Sequence, residues 1–398
     1  MHTIELRDVD ILFGGDARAA LDLLDRGADR QEIHDATGVV VGVAGASLAV
    51  RRGEVCVLMG LSGSGKSTLL RAVNGLCPVT RGQVLVQDGG STLDIAGCDA
   101  AMLRHMRMER IAMVFQQFAL LPWRTVQENV SFGLELRGMN RAERDTVVEE
   151  KLKLVGLDRW REHFVHELSG GMQQRVGLAR ALATDSDILL MDEPFSALDP
   201  LIREHLQDEL LGLQRRLGKT ILFVSHDLNE ALKLGQHIAI MEAGRIVQFG
   251  EPEEILLNPA NAYVSEFIAH MDALNVLRCR SLMTPVEDIR REGDALLLDL
   301  SGRNRIALGA DGAPLEATVE PGPARIWHYN PEMDLAALAT GEICAAPAEL
   351  GMRVAIEIRH RTGRPVLMVE EGRLIGVISD EEIYRGLLSQ RSHAPSVT

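Results

Sequence analysis

Short apolar runs alternate with amphipathic stretches over the first two thirds of the chain. The clearest runs are residues 55–59, 111–115, 188–191 and 220–224. Unbroken apolar runs of this length are typical of strands buried on both faces, and the spacing of Val176, Leu178, Ala179 and Leu182 predicts a helix. Because such strands alternate with helices, we expect an α/β fold with a mostly parallel sheet, and a ligand site at the carboxyl ends of its strands.

A polar segment interrupts the strand pattern near the N-terminus. Residues 3–13 alternate enough to predict a strand, and residues 39–50 resume the strand pattern. Between them, residues 16–38 have the polar face of a helical hairpin, with a break at Gly27 and a stop at Gly38. We therefore interpret residues 16–38 as a helical insertion.

With 398 residues the chain is too long for one ordinary core, so we expect two domains, with three as the alternative. Asn258-Pro259 breaks the pattern, and a last helix is predicted over residues 262–270. We predict a first domain over residues 1–275, a smaller α+β domain over residues 276–388, and a disordered polar tail over residues 389–398.

Composition and charge narrow the classes of function. With 46% hydrophobic and 25% charged residues, the composition is that of a soluble globular protein, and the net charge of −15 argues against a nucleic-acid partner. Five scattered cysteines without C-x-x-C spacing predict reduced thiols rather than disulfides or a metal site. The N-terminus lacks the basic residues of a signal peptide, and the nearly apolar stretch 39–50 is well short of the roughly 20 residues of a membrane span. We therefore expect that the chain does not itself cross a membrane.

The most specific motif is GLSGSGKST at residues 60–68. It fits the G-x-x-x-x-G-K-[ST] phosphate loop, and it lies between a predicted strand and a predicted helix. Glycines let backbone N–H groups approach phosphates closely, Lys66 would reach the β- and γ-phosphates, and the Ser67 hydroxyl would be a ligand of Mg²⁺. The alternative is a glycine-serine turn that matches by chance, and the flanking strand and helix disfavour it. The motif predicts nucleotide binding.

Polar residues end two other predicted strands. Asp192 follows the run 188–191, where its carboxylate can hold Mg²⁺ through water, and Glu193 is placed to orient or deprotonate an attacking water. An acidic pair at a strand end is ordinarily a cap or a solvated turn, but the phosphate loop favours the catalytic interpretation. His226 ends the run 220–224 and could bond the γ-phosphate, although a lone histidine is more often structural.

Taken in order, these motifs resemble the ATP-binding subunit of an ABC transporter over about residues 1–270. The matching elements are the phosphate loop, Gln116 at a strand end, LSGGMQQR at 168–175, ILLMDEP at 188–194, SALD at 196–199 and His226. The resemblance implies an ABC-type nucleotide-binding domain that hydrolyses ATP with Mg²⁺.

The resemblance also implies roles for individual residues. Glu193, His226 and Gln116 would be catalytic, and Ser67, Gln116 and Asp192 would hold Mg²⁺. The residues expected to bind ATP are Gly60, Leu61, Ser62, Gly63, Ser64, Gly65, Lys66, Ser67 and Thr68. Phe13 is the candidate for stacking on adenine, with a core phenylalanine as the alternative.

A homodimer that closes on two ATP molecules also follows from this resemblance. The signature residues expected to face the partner protomer's ATP are Ser169, Gly170, Gly171 and Gln173. Ser169 and the N–H groups of the two glycines would suit an anion at a helix N-terminus. Asp199 would link the two sites across the interface.

Longer segments narrow the resemblance to one group of importers. The insertion, GLSGSGKSTLLRAVNGL, AMVFQQFALLPWRTVQENVSFG and SALDPLIR resemble the importers of glycine betaine, proline betaine and choline. This implies a membrane permease partner, an indirect periplasmic substrate-binding protein, and a peripheral position on the cytoplasmic face of a bacterial inner membrane. Residues 118–124 would meet the permease; the alternative is an ordinary surface loop, for which this stretch is unusually apolar.

The C-terminal region has a second, weaker resemblance. Residues 281–286 and residues 365–380 resemble the start and end of CBS-type modules, in which positions 379 and 380 can bind a ribose. Residues 287–350 depart from that pattern. A CBS-like regulatory domain and a degenerate dimerisation domain are both open.

Three other functions compete with a quaternary amine importer. One is an ATPase for another small organic solute, which the insertion disfavours. Another is a soluble ABC-type ATPase of DNA repair or translation, which the acidic charge and the absence of a long coiled-coil insertion or a second ATPase unit disfavour. A regulatory protein that does not hydrolyse ATP is disfavoured by Glu193.

Overall fold

The computed structural model describes residues 2–269, 274, 276–299, 301–309, 312–319, 322–332 and 334–389. Its chain divides into two compact units, residues 1–252 and 253–398. The predicted boundary lies at residue 275. Residues 270–273 and 275 lie outside the described residues, as does most of the predicted tail. That boundary stays a prediction.

The first unit has ten strands and nine α-helices in its described residues. The strands are β1 (His2–Phe13), β2 (Val40–Arg51), β3 (Val55–Met59), β4 (Arg81–Asp88), β5 (Ser91–Asp94), β6 (Ile111–Val114), β7 (Ile188–Asp192), β8 (Thr220–Val224), β9 (His237–Glu242) and β10 (Arg245–Gly250). The helices are α1 (Ala17–Asp25), α2 (Arg30–Thr37), α3 (Lys66–Val73), α4 (Ala100–His105), α5 (Val126–Leu136), α6 (Arg141–Leu154), α7 (Gly170–Ala183), α8 (Pro200–Leu217) and α9 (Leu228–Leu234).

A six-stranded, mostly parallel sheet forms the centre of this unit, as the alternation of buried runs predicts. Its strand order is β10-β9-β3-β8-β7-β6, and only the β9–β10 pair in it is antiparallel. Strands β3, β7 and β8 are buried along their whole length, which explains why they are apolar without alternation. Their carboxyl ends deliver the phosphate loop, the Asp192-Glu193 pair and the His226 loop to the same edge of the sheet.

A second sheet, which the sequence analysis did not separate from the first, is wholly antiparallel. Its order is β2-β1-β4-β5, and β1 and β2 pair along most of their length. Helix α3 lies in the core between elements of the two sheets, with Leu69 and Leu70 fully buried among residues of both. The residues after the phosphate loop are therefore held by the main core of the unit.

The predicted insertion is a helical hairpin with its own small core. Asp16 caps α1, and Asp29 forms a capping box with Glu32 at the start of α2. Gly38 ends α2 in the left-handed region at φ 70°. Ala20 and Ile33 of the hairpin are fully buried in a cluster with residues of β2.

Two helical segments of this unit are interrupted. Residues 100–110 form α4 followed by a π-helical turn, Met106–Arg110. The charged segment 126–156 is two helices, because α5 ends before Gly138, which has a φ of 75°, and Asn140 caps α6. The other helices and strands predicted in this unit are present within a few residues of their expected bounds.

The second unit is α+β and contains two sheets. Its helices are α10 (Pro252–Leu257), which begins at the boundary, α11 (Ala262–Ile268), α12 (Cys279–Leu282), α13 (Met352–Thr362) and α14 (Asp380–Ser389). Its strands are β11 (Thr284–Pro285), β12 (Arg291–Glu292), β13 (Ala295–Leu297), β14 (Asn304–Leu308), β15 (Pro314–Val319), β16 (Gly322–Ala324), β17 (Ile326–His328), β18 (Ile343–Pro347), β19 (Val366–Glu370) and β20 (Arg373–Ile378). Strands β12 to β16 form an antiparallel sheet, and the mixed sheet has the order β11-β20-β19-β18-β17.

The segment near the C-terminus that resembles the end of a CBS-type module is a strand-turn-strand-helix. Strands β19 and β20 form an antiparallel hairpin, which α14 follows. The two residues of its turn, Glu371 and Gly372, have φ values of 49° and 80°, as a tight hairpin turn requires. None of the helices in the described residues is long and apolar enough to span a membrane.

Candidate functional site

The phosphate loop joins the end of β3 to the start of α3. Gly60 has a φ of 140°, and a Cβ atom there would lie 2.1 Å from the carbonyl oxygen of Met241. Gly65 has a φ of 101°, and a Cβ atom there would lie 2.5 Å from the carbonyl oxygen of Gly42. Both positions therefore demand glycine for conformation and for space. The loop leads its backbone directly into the N-terminus of α3, which is the end of a helix that favours anions.

Lys66 is folded back onto this loop. Its amine donates hydrogen bonds of 2.9 Å to the carbonyl oxygens of Gly60 and Leu61, and it lies 3.4 Å from the Ser64 hydroxyl. Burial lowers the pKa of Lys66, and the nearby carboxylates of Glu193 and Asp192 oppose that shift. The lysine is thus a cation held at the centre of the loop.

Asp192 lies at the end of β7, against the first turn of α3. The Ser67 hydroxyl donates a hydrogen bond of 2.7 Å to one carboxylate oxygen, and Arg71 pairs with the other at 3.0 Å. The Asp192 side chain is fully buried, so this pairing offsets the cost of burying its charge. The hydroxyl and the carboxylate that the sequence analysis assigned to Mg²⁺ are therefore in direct contact.

Glu193 has a left-handed backbone, with a φ of 48°. This conformation costs a residue with a side chain about 1–3 kcal/mol and is typical of functional sites. The backbone N–H of Glu193 donates to the carbonyl of Val224, which ties the end of β7 to the end of β8. The unusual conformation turns the side chain toward Gln116 and His226.

Those two side chains meet at the Glu193 carboxylate. The Gln116 amide donates a hydrogen bond of 3.1 Å to it, and Nδ1 of His226 lies 3.3 Å from the same oxygen. His226 is mostly exposed, whereas Glu193 is mostly buried. The structure thus brings all three residues predicted to be catalytic together at the edge of the sheet.

The signature residues stand at the N-terminus of α7. Ser169 is the cap residue, and its hydroxyl accepts a hydrogen bond from the N–H of Met172. A Cβ atom on Gly171 would lie 3.1 Å from the carbonyl oxygen of Ala197, in the SALD segment. Gln173 donates to the carbonyls of Val165 and Leu168, so its amide fixes the preceding turn.

Asp199 is the cap position immediately before α8; it is exposed, and its side chain makes no capping hydrogen bond. Arg203, one turn into α8, is anchored instead. Arg203 donates to the carbonyl of Leu198 and pairs with Asp227 at 3.2 Å, which connects the SALD segment to the loop of His226.

Comparisons with known proteins agree with this geometry. A family model described as "ABC transporter" matches residues 43–196. The glycine betaine transport ATP-binding protein OpuAA of Bacillus subtilis (strain 168) is 50% identical over 287 residues, which are 72% of this chain and 68% of that protein. The glycine betaine/proline betaine transport system ATP-binding protein ProV of Escherichia coli (strain K12) is 50% identical over 279 residues, which are 70% of this chain and 69% of that protein.

The chain belongs to the ABC transporter family. A solved structure agrees: an ATP-binding cassette in a dimeric, post-hydrolysis state with ADP and Pi bound is 31% identical, with a TM-score of 0.54. That match covers 62% of this chain and 98% of the solved one. The ABC domain of this chain therefore binds ATP, and the protein is an ABC-type ATPase.

Gln174 is a residue of this ABC ATPase that the sequence analysis did not select. It is 1% exposed, and its amide donates to the Glu193 carbonyl while accepting from the N–H of Ala197, both at 3.1 Å. It therefore ties the signature helix to the residue proposed as base and to the SALD segment. A polar residue one helical turn before Leu178, on the buried face of α7, was the signal available in the sequence.

Phe13 ends β1 beside the start of α3. Phe13 is 39% exposed, whereas a core phenylalanine would be buried. The ring lies over Gly42, because a Cβ atom there would be 2.7 Å from the ring and 3.2 Å from the methyl group of Thr68. The ring is thus next to the phosphate-loop helix of the ABC domain, and stacking on adenine stays a prediction.

The segment 118–124 of the ABC domain follows Gln116 and is half-buried at several positions. Trp123 is 70% exposed, and Phe118 and Ala119 have positive φ values of 59° and 47°. Arg180 of α7 donates to the carbonyls of both residues, and burial lowers the pKa of Arg180. This arginine, which the sequence analysis also missed, holds the turn from which the exposed tryptophan extends.

Proposed function

We propose that this chain is the subunit that hydrolyses ATP to energise import of a quaternary ammonium compound, such as choline, glycine betaine or proline betaine, through a separate permease. The observation that carries the proposal is the extent of the similarity to transport proteins for such compounds. Identity of 50% over 287 residues reaches well beyond the segment 43–196 that the general family model matches. Shared sequence outside the common ATPase motifs supports a shared transport system rather than a shared ATPase alone.

The roles proposed in hydrolysis follow from the contacts at the edge of the sheet. The Glu193 carboxylate accepts the proton of the attacking water or orients that water, and Gln116 and His226 hold the carboxylate from two sides. His226 is exposed enough to bond the γ-phosphate from this position. The amine of Lys66 exchanges its loop carbonyls for phosphate oxygens, and the loop N–H groups bind the remaining phosphate charge.

A Mg²⁺ ion fits the residues at the end of β7. Ser67 and Asp192 already place a hydroxyl and a carboxylate 2.7 Å apart, and both are oxygen ligands that Mg²⁺ prefers. Mg²⁺ usually keeps several waters and uses one or two carboxylates. It would therefore need no cluster of three or more acidic or histidine residues, and the described residues contain none. Gln116 is the third proposed ligand, and the bound ion would neutralise phosphate charge.

A homodimer is proposed from the exposed signature and from the dimeric state of the solved cassette. Ser169, Gly170 and the side chain of Asp199 are exposed, so they are free to face a partner protomer. We further propose that residues 118–124 contact the permease, since exposed Trp123 offers an apolar anchor of the kind that dominates interfaces. This contact would hold the subunit at the cytoplasmic face of a bacterial inner membrane, with a periplasmic substrate-binding protein as an indirect partner.

For the second unit we propose a CBS-like regulatory or dimerisation domain. The hydroxyl of Ser379 donates to buried Glu382 at 2.5 Å, and Asp380 pairs with Arg359 at 2.7 Å. Both positions that could bind a ribose are thus already engaged within the domain. This favours the dimerisation role.

The test of the transport proposal is uptake of labelled choline and glycine betaine by cells with and without this chain. Cells that lack it should lose uptake of at least one amine, and the wild-type chain should restore it while the Glu193→Gln variant should not. The variant is the matched control, because it replaces only the proposed base by its amide and keeps every residue proposed to bind ATP. Unchanged uptake of both amines would contradict the substrate assignment and favour an importer of another small organic solute or an ABC ATPase outside transport.

A further inference from the structure

The insertion reaches the phosphate loop through one side chain. Arg30 is the first residue of α2, and its guanidinium donates a hydrogen bond of 3.1 Å to the carbonyl of Gly63. Through its other terminal nitrogen it donates a hydrogen bond of 2.8 Å to the carbonyl of Gly42, in β2. One cation of the insertion therefore bridges the phosphate loop and the neighbouring sheet.

The bridge lies where three segments meet. The N–H of Gly244, in the turn between β9 and β10, donates to the carbonyl of Ser64, and the carbonyl of Gly244 accepts from the N–H of Ala44. A Cβ atom on Gly244 would lie only 2.3 Å from the guanidinium of Arg30. The space for the arginine thus depends on glycine at this turn, and backbone hydrogen bonds join all three segments around it.

The carbonyls that Arg30 binds are themselves part of the loop's shape. The Gly42 oxygen is the atom that a Cβ on Gly65 would strike, so it packs directly against the residue before Lys66. The Gly63 carbonyl belongs to the middle of the loop. Hydrogen bonds from a charged donor are about twice as strong as neutral ones. This contact therefore restrains the peptide after the exposed Gly63, together with the hydrogen bond from the Ser64 N–H to the Leu61 carbonyl.

We propose that Arg30 is a positioning residue that holds the phosphate loop in its nucleotide-binding shape, so that the insertion raises the affinity of the subunit for ATP. The guanidinium contacts loop backbone, and it acts on ATP through the loop. Preorganisation of this kind changes binding because the loop then loses less conformational freedom when phosphate binds. The proposal concerns the ATPase itself, and it does not depend on which solute is transported.

The experiment compares Arg30→Ala, Arg30→Lys and Arg26→Ala in the full-length chain. Arg26 is the matched control, because it is an exposed arginine of the same hairpin. Titration with the non-hydrolysable analogue AMP-PNP measures Kd, and steady-state ATP hydrolysis measures KM and kcat separately. Thermal unfolding of each variant verifies the fold.

Arg30→Ala should raise Kd and KM roughly tenfold, the size expected when the one charge-assisted hydrogen bond to the loop is lost, and should leave kcat within about twofold. Arg30→Lys keeps the cation but lacks the forked guanidinium that bridges two carbonyls. Its Kd should therefore lie between those of the wild type and of Arg30→Ala. Arg26→Ala should match the wild type.

Three results would overturn the proposal. One is an unchanged Kd in Arg30→Ala, and another is a loss confined to kcat, which would indicate an effect on chemistry alone. The third is an equal rise of Kd in Arg26→Ala, which would indicate general damage to the hairpin. If Arg30→Ala does not fold, Arg30→Lys decides, because a Kd equal to that of the wild type would contradict bridging.

Discussion

Replacing Gln174 by leucine tests whether the signature helix positions the proposed base. The side chain is 1% exposed, and leucine preserves its approximate volume, so the change removes two hydrogen bonds without opening a cavity. Each bond contributes about 1 kcal/mol net, so the segment around Glu193 should lose about 1–2 kcal/mol of its restraint. Glu193 has a positive φ, and this restraint is one of the contacts that hold it there.

The expected result is a loss in kcat with nucleotide affinity unchanged. If the whole loss of about 1–2 kcal/mol adds to the activation free energy of hydrolysis, kcat should fall about fivefold to thirtyfold, since about 1.4 kcal/mol corresponds to a factor of ten. Steady-state ATP hydrolysis and AMP-PNP titration measure the two quantities. The matched control is Gln31→Leu, the same chemical change on the exposed face of α2. Its effect should be small.

A double-mutant cycle makes this test specific. In the Glu193→Gln background, Gln174→Leu should have little further effect on hydrolysis, because the group that it positions is no longer a base. The reasoning is refuted if Gln174→Leu hydrolyses ATP like Gln31→Leu, or if its effect is undiminished in the Glu193→Gln background.

Three further predictions follow from the same unit. Lys66→Ala should raise the Kd for AMP-PNP by at least tenfold, because the cation at the centre of the loop is lost, and an unchanged titration would contradict its role. Phe223→Ala should lower the free energy of unfolding in urea by about 3–5 kcal/mol, since Phe223 is fully buried against Phe195; a loss under 1 kcal/mol would contradict this packing. Burial raises the pKa of Glu230 above 4.5, and a hydrogen bond from Ser225 opposes this shift. Above pH 4.5 the folded state therefore binds more protons than the unfolded state. The free energy of unfolding should fall as the pH rises from about 4.5 through the folded pKa. Glu230→Gln should flatten that fall in urea titrations at several pH values, whereas an identical slope would show that another group causes it.

Much of the ATPase unit was predictable because its signals are local. A fully buried strand must be apolar throughout, and a loop that receives phosphates needs glycines, so β3, β7, β8 and the phosphate loop are visible in the sequence. The same holds for the hairpin of residues 16–38, because caps and a terminal glycine bound each helix. In each case the residue type that is visible in the sequence is the one that forms the local structure, as an apolar strand residue, a loop glycine or a helix cap.

What the sequence could not predict depends on contacts between distant segments. Nothing near Arg30 indicates that its partners are Gly42 and Gly63, which only the fold brings together. Likewise, β1 and β2 have strand patterns, but their pairing in a separate antiparallel sheet depends on β4, which lies beyond the phosphate loop. The positive φ of Glu193 results from tertiary hydrogen bonds and leaves no trace in residue type.

The most direct test of the ATPase site is a comparison of Glu193→Gln with the wild type, in which AMP-PNP binding and ATP hydrolysis are measured on the same preparation. The account predicts that the Kd stays within about twofold while hydrolysis falls at least about a hundredfold, since the substituted amide can no longer accept a proton from water. ATP should then accumulate on a stable dimer. Hydrolysis at the wild-type rate would show that Glu193 is not the base, and would contradict the mechanism proposed from its contacts with Gln116 and His226.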